Sequence, residues 1–166
     1  VEKLAKESEL VCVLPDDPKK DWFRKINAKY IEIVMERRGM NPLSDYKLFR
    51  TYRKILRQEN PDVVLTYTIK PNIYGGIAAA REGIPYIANI TGLGTGILQK
   101  NLLSEAISFL YKKALKKATC TLFQNKENMK FFLERKMVSG KYRLIPGSGV
   151  NITEHKFEEY PKEEKR

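Results

Sequence analysis

The sequence predicts an α/β fold built on a doubly wound parallel sheet, and three observations carry this prediction. Short apolar runs alternate repeatedly with segments of helical spacing, which is the pattern of successive strand–helix–strand units. The run Leu10–Leu14 is wholly apolar, as is typical of a parallel strand covered on both faces. Gly83 closes a segment rich in small residues, in the way that a glycine ends a helix.

Strand and helix are expected to alternate at least five times. Asn41-Pro42 supplies a start signal for a basic amphipathic helix, and Asn125 supplies an N-cap for a later one. We expect strands at residues 10–14, 31–35, 63–67, 84–90, 118–123 and 143–146, and helices at residues 1–8, 42–57, 71–83, 102–117 and 126–137.

Composition limits the class of protein. A chain of 166 residues with 42% apolar residues suits one domain of ordinary size. The two cysteines, Cys12 and Cys120, stand inside apolar strand-like runs and are expected to be reduced thiols, which favours the cytoplasm. No apolar run approaches the roughly 20 residues that a membrane-spanning helix needs.

The formal net charge of +11 calls for an anionic partner. Such a field attracts nucleic acid, anionic lipid or phosphorylated substrates, and charge alone does not choose among them. Part of the charge follows an apolar helical pattern in residues 102–117. Lys112, Lys113, Lys116 and Lys117 cluster near the end of that helix, so we expect them to face an anionic membrane surface, unless they only complement the helix carboxyl end.

Candidate site residues lie in the loops that follow strands, because open parallel sheets bind ligands at the carboxyl ends of their strands. The loop from Thr91 to Gly96 has three glycines, which let backbone N–H groups approach a ligand. Its spacing is neither the dinucleotide fingerprint nor a phosphate-binding Walker loop.

Three polar residues stand near two of the expected strand ends. Lys70 and Asn72 follow the strand that ends at Tyr67, where a cation and an amide could meet a diphosphate. A solvated Lys70 and an Asn72 that caps a helix are the alternatives. Asn89 is expected to point toward the same cleft, although a buried amide that satisfies backbone groups fits equally well.

Several motifs together resemble one family. They are residues 61–76, residues 83–94 with Thr91-Gly92-Leu93-Gly94 at their end, Phe123-Gln124-Asn125, and Ile145-Pro146-Gly147-Ser148-Gly149-Val150-Asn151. The set is similar to the amino-terminal domain of bacterial family 4 glycosyltransferases, in particular their capsular and O-antigen polysaccharide branch. The likeness covers nearly the whole chain.

This resemblance implies a GT-B enzyme with two Rossmann-like domains that face a cleft. Residues 1–153 would be the domain on the acceptor side, without its first strand. Residues 154–166 would be a charged linker toward a donor-binding domain outside this sequence, and the fragment alone is expected to be inactive. Thr91, Gly92, Leu93 and Gly94, with Asn89, Lys70 and Asn72, would bind the acceptor, and Gly147, Ser148 and Gly149 would lie near the donor.

The resemblance also implies the reaction. A sugar would pass, with retained anomeric configuration, from a nucleotide-sugar to a lipid-diphosphate-linked saccharide at the inner face of the plasma membrane, without a metal ion or other cofactor. No catalytic residue is assigned. Many relatives carry a histidine where this chain has Thr91, and a threonine hydroxyl can orient a sugar but is no general base at neutral pH. The one histidine, His155, stands in the charged tail.

Two other functions are weighed beside the transferase. A sugar-nucleotide epimerase has similar architecture, and the loop from Thr91 to Gly94 argues against it. A basic nucleic-acid-binding module would need cations interleaved with exposed aromatic side chains, and here the aromatic residues mostly fall on expected strands or apolar helix faces, so no nucleic-acid partner is expected.

Overall fold

A computed structural model of the chain describes residues 1–18, 20–36, 41–93, 97, 102–147, 149 and 153. Strands and helices alternate as the sequence predicts, with a π-helical turn at Pro71–Gly75. The strands are β1 Leu10–Leu14, β2 Ala28–Glu32, β3 Val64–Tyr67, β4 Tyr86–Ile90, β5 Cys120–Phe123 and β6 Tyr142–Leu144. The helices are α1 Glu2–Glu7, α2 Lys20–Lys25, α3 Pro42–Glu59, α4 Gly76–Glu82, α5 Leu102–Leu115 and α6 Lys126–Glu134.

All described strand pairs are parallel. β1 pairs with β2, and a separate sheet has the order β3-β4-β5-β6. Its register sets Tyr67 beside Asn89, and Ile90 beside Phe123. The strands therefore end together at one edge of the sheet, which we call the carboxyl edge.

The helices cover the two faces of the fold unequally. Helices α3 to α6 pack on the face of the four-stranded sheet that carries Tyr86, Ala88, Ile90 and Phe123. Helix α2 lies on the other face of the two-stranded sheet, where Phe23 stacks on Tyr30. Helix α2 thus lies on the opposite face from α3 to α6. Crossovers between parallel strands are right-handed, so the strand order across both sheets is β2, β1, then β3 to β6. The doubly wound arrangement is confirmed.

Most strand bounds shift by one or two residues from the sequence predictions, and two strands differ in more than that. β1 is half-buried along its whole length instead of being covered on both faces, because it forms an edge of its sheet beside β2 only. β2 covers Ala28–Glu32 and not residues 31–35, since the chain turns at Asn27, with φ 58°, directly into the strand. Ile33 is buried just beyond the strand end, so the apolar signal there came from core packing.

The predicted end residues of three helices are confirmed. The side chain of Asn41 accepts hydrogen bonds from the N–H groups of Leu43 and Ser44. Asn125 accepts one from the N–H of Asn128 at 2.7 Å, and Gly83 ends α4 with φ 75°. A capping side chain or a glycine in the left-handed conformation satisfies the unpaired backbone groups at a helix end. Because these signals are local, they can be predicted from the sequence.

Glu82 joins helices α3 and α4 and is expected to make stability depend on pH. Its carboxylate accepts hydrogen bonds from Arg57 and Arg53, and these hold the pKa of Glu82 below its ordinary value of 4.5. A lowered folded pKa contributes stability above the ordinary pKa and loses it as the pH falls through the folded pKa. We expect Glu82→Gln to lower the urea midpoint at neutral pH, and the difference from the wild type to disappear in acid. A gap that persists in acid would contradict this.

Candidate functional site

The carboxyl edge brings together the residues that follow three strands. Thr68 comes after β3, Thr91 after β4 and Gln124 after β5. Because Tyr67 pairs with Asn89 and Ile90 with Phe123, all three positions lie at the same edge of the sheet. Thr91 is exposed, whereas Gly92 and Leu93 are half-buried. The edge therefore offers polar groups on a rigid sheet, as ligand sites of parallel sheets do.

Asn72 links β3 to β4 through two buried hydrogen bonds. Its side chain is fully buried, accepts a hydrogen bond from the Thr66 hydroxyl at 2.7 Å and donates one to the carbonyl oxygen of Asn89 at 2.9 Å. The Tyr111 hydroxyl lies beside the same amide, and burial raises the pKa of Tyr111. Asn72 thus fixes the carboxyl edge and does not cap a helix.

Lys70 lies inside the protein and is paired. Its ammonium lies 2.7 Å from one carboxylate oxygen of Asp45, and the Tyr74 hydroxyl donates to the other oxygen at 2.9 Å. The side chains of Lys70 and Asp45 are only 10% and 5% exposed. Burial and the hydrogen bond to Asp45 raise the pKa of Tyr74. The alternative of a solvated Lys70 is therefore wrong, and the cation expected to face a diphosphate is engaged with Asp45.

The side-chain oxygen of Asn89, unlike its carbonyl oxygen, is buried without a described donor. The residue is 7% exposed, and among the described residues no group donates to its Oδ1. Alternation along β4 places its side chain on the face shared with Leu65 and Tyr67, away from helices α3 to α6. Buried acceptors in native proteins nearly always have a donor, so this oxygen is suited to a hydroxyl or amide from a ligand.

Thr68 is a further residue at this edge that the sequence does not single out. This threonine directly follows β3 and has φ 67°, a left-handed conformation that a β-branched residue rarely adopts. The π-helical turn Pro71–Gly75 comes three residues later. Strained residues and π-helical turns both concentrate at functional sites. No sequence signal marks Thr68, because its conformation is imposed by the chain on both sides.

The glycine candidates are only partly described. Gly92 has open space where a Cβ atom would stand, and so do the exposed Gly147 and Gly149. Gly149 has φ 69°, a conformation that favours glycine. Gly94 and Ser148 lie outside the described residues.

Helix α5 ends at Leu115 and not at residue 117, so Lys112 and Lys113 lie in its last turn and Lys116 and Lys117 follow it. All four are exposed, and they lie far from the carboxyl edge. Helix α5 returns from the end of β4 to the start of β5, and the Tyr86 hydroxyl at the start of β4 donates to the carbonyl of Ala114. Burial raises the pKa of Tyr86 to about 12. Lys112, Lys113, Lys116 and Lys117 therefore lie toward the amino ends of the strands.

A basic groove of about 770 Å³ lies along α3, from Tyr46 to Gln58, and reaches Arg81 of α4. It is lined by the aromatic residues Tyr46 and Phe49 and by five cations, and no carboxylate lines it. Arg53 and Arg57 reach Glu82, whereas the other three cations have no ion pair among the described residues. The cations are Arg50, Arg53, Lys54, Arg57 and Arg81.

Two kinds of feature are not found in the described part of the chain. No group of three histidine, cysteine, aspartate or glutamate side chains there could hold a metal ion. No helix there is long and apolar enough to cross a membrane.

Comparison with known proteins identifies related sequences. The profile of the family described as "Glycosyl transferase 4-like" matches residues 1–125. The chain is 28% identical to an N,N'-diacetylbacillosaminyl-diphospho-undecaprenol alpha-1,3-N-acetylgalactosaminyltransferase of Campylobacter jejuni. That alignment covers 97% of this chain and 44% of the relative, so the chain spans less than half of the relative's length.

Solved structures share the fold. MurG of Acinetobacter baumannii matches with a TM-score of 0.54 at 13% identity, over 92% of this chain and 41% of its own. UGT73P12 of Glycyrrhiza uralensis matches with a TM-score of 0.51 at 14% identity, over 85% of this chain and 43% of its own. UDP-GlcNAc 2-epimerase of Methanocaldococcus jannaschii matches with a TM-score of 0.52 at 18% identity, over 82% of this chain and 45% of its own. These similarities concern the fold alone and do not separate a transferase from an epimerase.

Proposed function

Because the chain belongs to the 4-like glycosyl transferase family, we propose that it is the acceptor side of a retaining glycosyltransferase. The enzyme transfers a sugar from a nucleotide-sugar to a lipid-diphosphate-linked saccharide in surface polysaccharide synthesis. The observation that carries this proposal is the alignment over 97% of the chain with an enzyme whose name specifies a diphospho-undecaprenol acceptor. The epimerase alternative has only a likeness of fold behind it.

The acceptor lies along the carboxyl edge in this proposal. The unpaired Oδ1 of Asn89 accepts a hydrogen bond from a sugar hydroxyl, and the exposed Thr91 orients the sugar beside the glycines that follow it. Lys70 and Asn72 support this edge through Asp45 and Asn89 instead of contacting the acceptor themselves. Gly147 and Gly149 lie nearer the donor. No metal ion or cofactor takes part.

The domain organisation is part of the proposal. In the described part of the chain, β1 and β3 each have one edge without a paired strand, and the order of the strands makes these edges neighbours. A further parallel strand, from sequence outside residues 1–166, fits between them. On the same basis a donor-binding domain completes the enzyme, with residues 154–166 as the linker toward it.

The enzyme is proposed to act as a peripheral protein at the inner face of the plasma membrane. Its acceptor is held in the bilayer, and the exposed lysines of α5 are available to anionic lipid. Each basic residue near such a surface contributes about 1 kcal/mol.

Replacing Asn89 by alanine tests the acceptor site. Loss of one buried hydrogen bond to a ligand costs about 1–3 kcal/mol, so we expect kcat/KM for the lipid-linked acceptor to fall by roughly 5- to 150-fold. The KM for the nucleotide-sugar should stay unchanged. The measurement is transfer of a radiolabelled sugar by the chain together with the sequence that flanks it in its gene.

The companion variants are Thr91→Ala and a matched control, Thr119→Ala, whose residue lies at the opposite end of the sheet between α5 and β5. Thr91→Ala should raise the KM for the acceptor, and Thr119→Ala should change nothing. Unchanged transfer by both Asn89→Ala and Thr91→Ala would refute the acceptor site.

The nucleic-acid alternative gains one observation from the structure. Cations and the exposed Tyr46 do stand together in the groove along α3. Tight, salt-sensitive binding of random RNA, with no binding of anionic vesicles, would favour that function over the transferase.

A further inference from the structure

The basic groove along α3 is lined by cations that repel one another. Four of them lie on consecutive turns of this helix, namely Arg50, Arg53, Lys54 and Arg57. Each has another cation three or four residues away, and no carboxylate of α3 stands at either spacing from any of them. Like charges at these spacings destabilise a helix, because the side chains are neighbours on its surface. An anion bound in the groove would relieve this repulsion.

Glu82 holds two of these cations by one nitrogen each. One oxygen of its carboxylate accepts a hydrogen bond from Nε of Arg53, and the other accepts one from Nε of Arg57 at 2.8 Å. Among the described residues, no acceptor is found for the terminal Nη groups of either guanidinium. A guanidinium has five N–H donors, so one that is held at Nε still presents its Nη groups to a second anion.

Arg81 joins this groove from α4. Its guanidinium carbon lies 5.1 Å from the centre of the Phe49 ring, and that of Arg53 lies 5.8 Å from the same centre. In the described part of the chain Arg81 has no ion pair, and neither have Arg50 and Lys54. The ring of Phe49 therefore brings cations of two helices together, and three of the five lining cations are available to a ligand.

The spacing of the cations fits a second helix. The groove spans about 18 Å of α3, and Lys54 and Arg57 lie about 6 and 10.5 Å from Arg50 along the helix axis. A helix laid beside α3 has the same rise per residue, so carboxylates at its positions i, i+4 and i+7 recur at these heights. An extended strand repeats its same-side residues about every 6.6 Å and loses the register by the third cation.

We propose that this groove binds an acidic helix of a partner protein, with carboxylates at positions i, i+3 or i+4, and i+7. Grooves that bind amphipathic helices are occupied by residues at these spacings. Guanidiniums pair with carboxylates through two parallel hydrogen bonds, which adds geometric specificity to the attraction of charge. The exposed ring of Tyr46 lines the end of the groove and is available to an apolar residue of the same helix. This inference goes beyond the proposed function and does not depend on it.

Two other occupants fit the groove less well. A second copy of this chain would have to supply the acidic helix, but none of the described helices carries three carboxylates at these positions. A single strand of nucleic acid stacks its bases on exposed aromatic rings. Phe49 is only 9% exposed and has two guanidiniums near its ring, so Tyr46 alone among the described lining residues offers such a ring.

Fluorescence anisotropy with two labelled peptides tests the groove. Both are alanine-rich helices of about 20 residues with the same number of glutamates, and circular dichroism verifies that they are equally helical. In the first peptide the glutamates lie on one face at the spacings given above, and in the second they are spread around the helix. We expect the one-faced peptide to bind about tenfold more tightly, because only its carboxylates reach all the cations together. Equal binding of the two peptides would overturn the proposal.

A pair of glutamine substitutions locates the binding. Arg50→Gln with Lys54→Gln should weaken binding of the one-faced peptide by about tenfold, because it removes two of the unpaired cations. Lys126→Gln with Lys130→Gln is the matched control, since it removes two exposed cations at the same spacing from α6, and it should change the affinity by less than about twofold. Equal losses from the two pairs would overturn the groove as the binding site.

Glu82→Gln separates the arrangement of the cations from their charge. The substitution adds one positive charge beside the groove, so attraction by charge alone predicts tighter binding of the one-faced peptide. An amide has one acceptor oxygen, so it can hold only one of the two arginines, and we expect binding about threefold weaker at neutral pH. Circular dichroism verifies that the variant is folded at the temperature of the assay. Tighter binding would overturn the role of Glu82 in positioning Arg53 and Arg57 for a helix.

Competition decides between classes of partner. Unlabelled one-faced peptide should displace its labelled form at a lower concentration of negative charge than random-sequence RNA or vesicles of phosphatidylglycerol do. A stronger competitor among these two would overturn the acidic helix in favour of nucleic acid or lipid phosphate.

Discussion

Replacing Lys70 by methionine is expected to lower the free energy of unfolding by about 3–5 kcal/mol, because it leaves a buried carboxylate without its cation. Asp45 would keep only the hydrogen bond from Tyr74. The ion pair joins the first turn of α3 to the π-helical turn across 25 residues of sequence, so the loss should appear as a lower urea midpoint of the cooperative transition.

A double variant isolates the charge from the packing. Lys70→Met with Asp45→Leu removes both charges, and replacing a buried pair by apolar residues is often close to neutral, so most of the lost stability should return. If Lys70 contacts the acceptor instead, the single variant would raise the KM for the acceptor while stability changed by less than about 1 kcal/mol, the usual worth of an exposed pair.

Replacing Asn72 by alanine is expected to cost about 2–4 kcal/mol of unfolding free energy and to weaken acceptor binding. The change leaves the carbonyl oxygen of Asn89 without its donor and opens a small cavity. The Thr66 hydroxyl keeps an acceptor, because the carbonyl oxygen of Ile87 lies 3.4 Å away. Urea unfolding measures the first effect and the KM for the acceptor measures the second.

The control applies the same substitution at a residue with a local role. Asn125→Ala removes the N-cap of α6 and should cost about 1 kcal/mol without changing acceptor binding. Equal losses at Asn72 and Asn125 would contradict the role of Asn72 in holding β3 to β4.

The sequence selects residues for the candidate site, but it does not predict their contacts. Thr91 and Asn89 could be selected because they end an apolar strand, and Lys70 because it follows another. That Lys70 meets Asp45 could not be read from the chain, since a cation after a strand looks the same whether it faces solvent or a carboxylate. Thr68 carries no signal at all, because its φ of 67° results from the packing of β3 and the π-helical turn.

The sequence by itself determined the order and type of the elements, because strand and helix periodicity and the capping of Asn41, Gly83 and Asn125 depend on neighbouring residues alone. The family followed from motifs of the same local kind. Only the tertiary structure decided which side chains meet, as Asn72 meets Asn89, and which remain exposed, as Leu43 and Leu102 do. Those outcomes depend on residues far apart in the chain, and a pattern of near neighbours does not contain them.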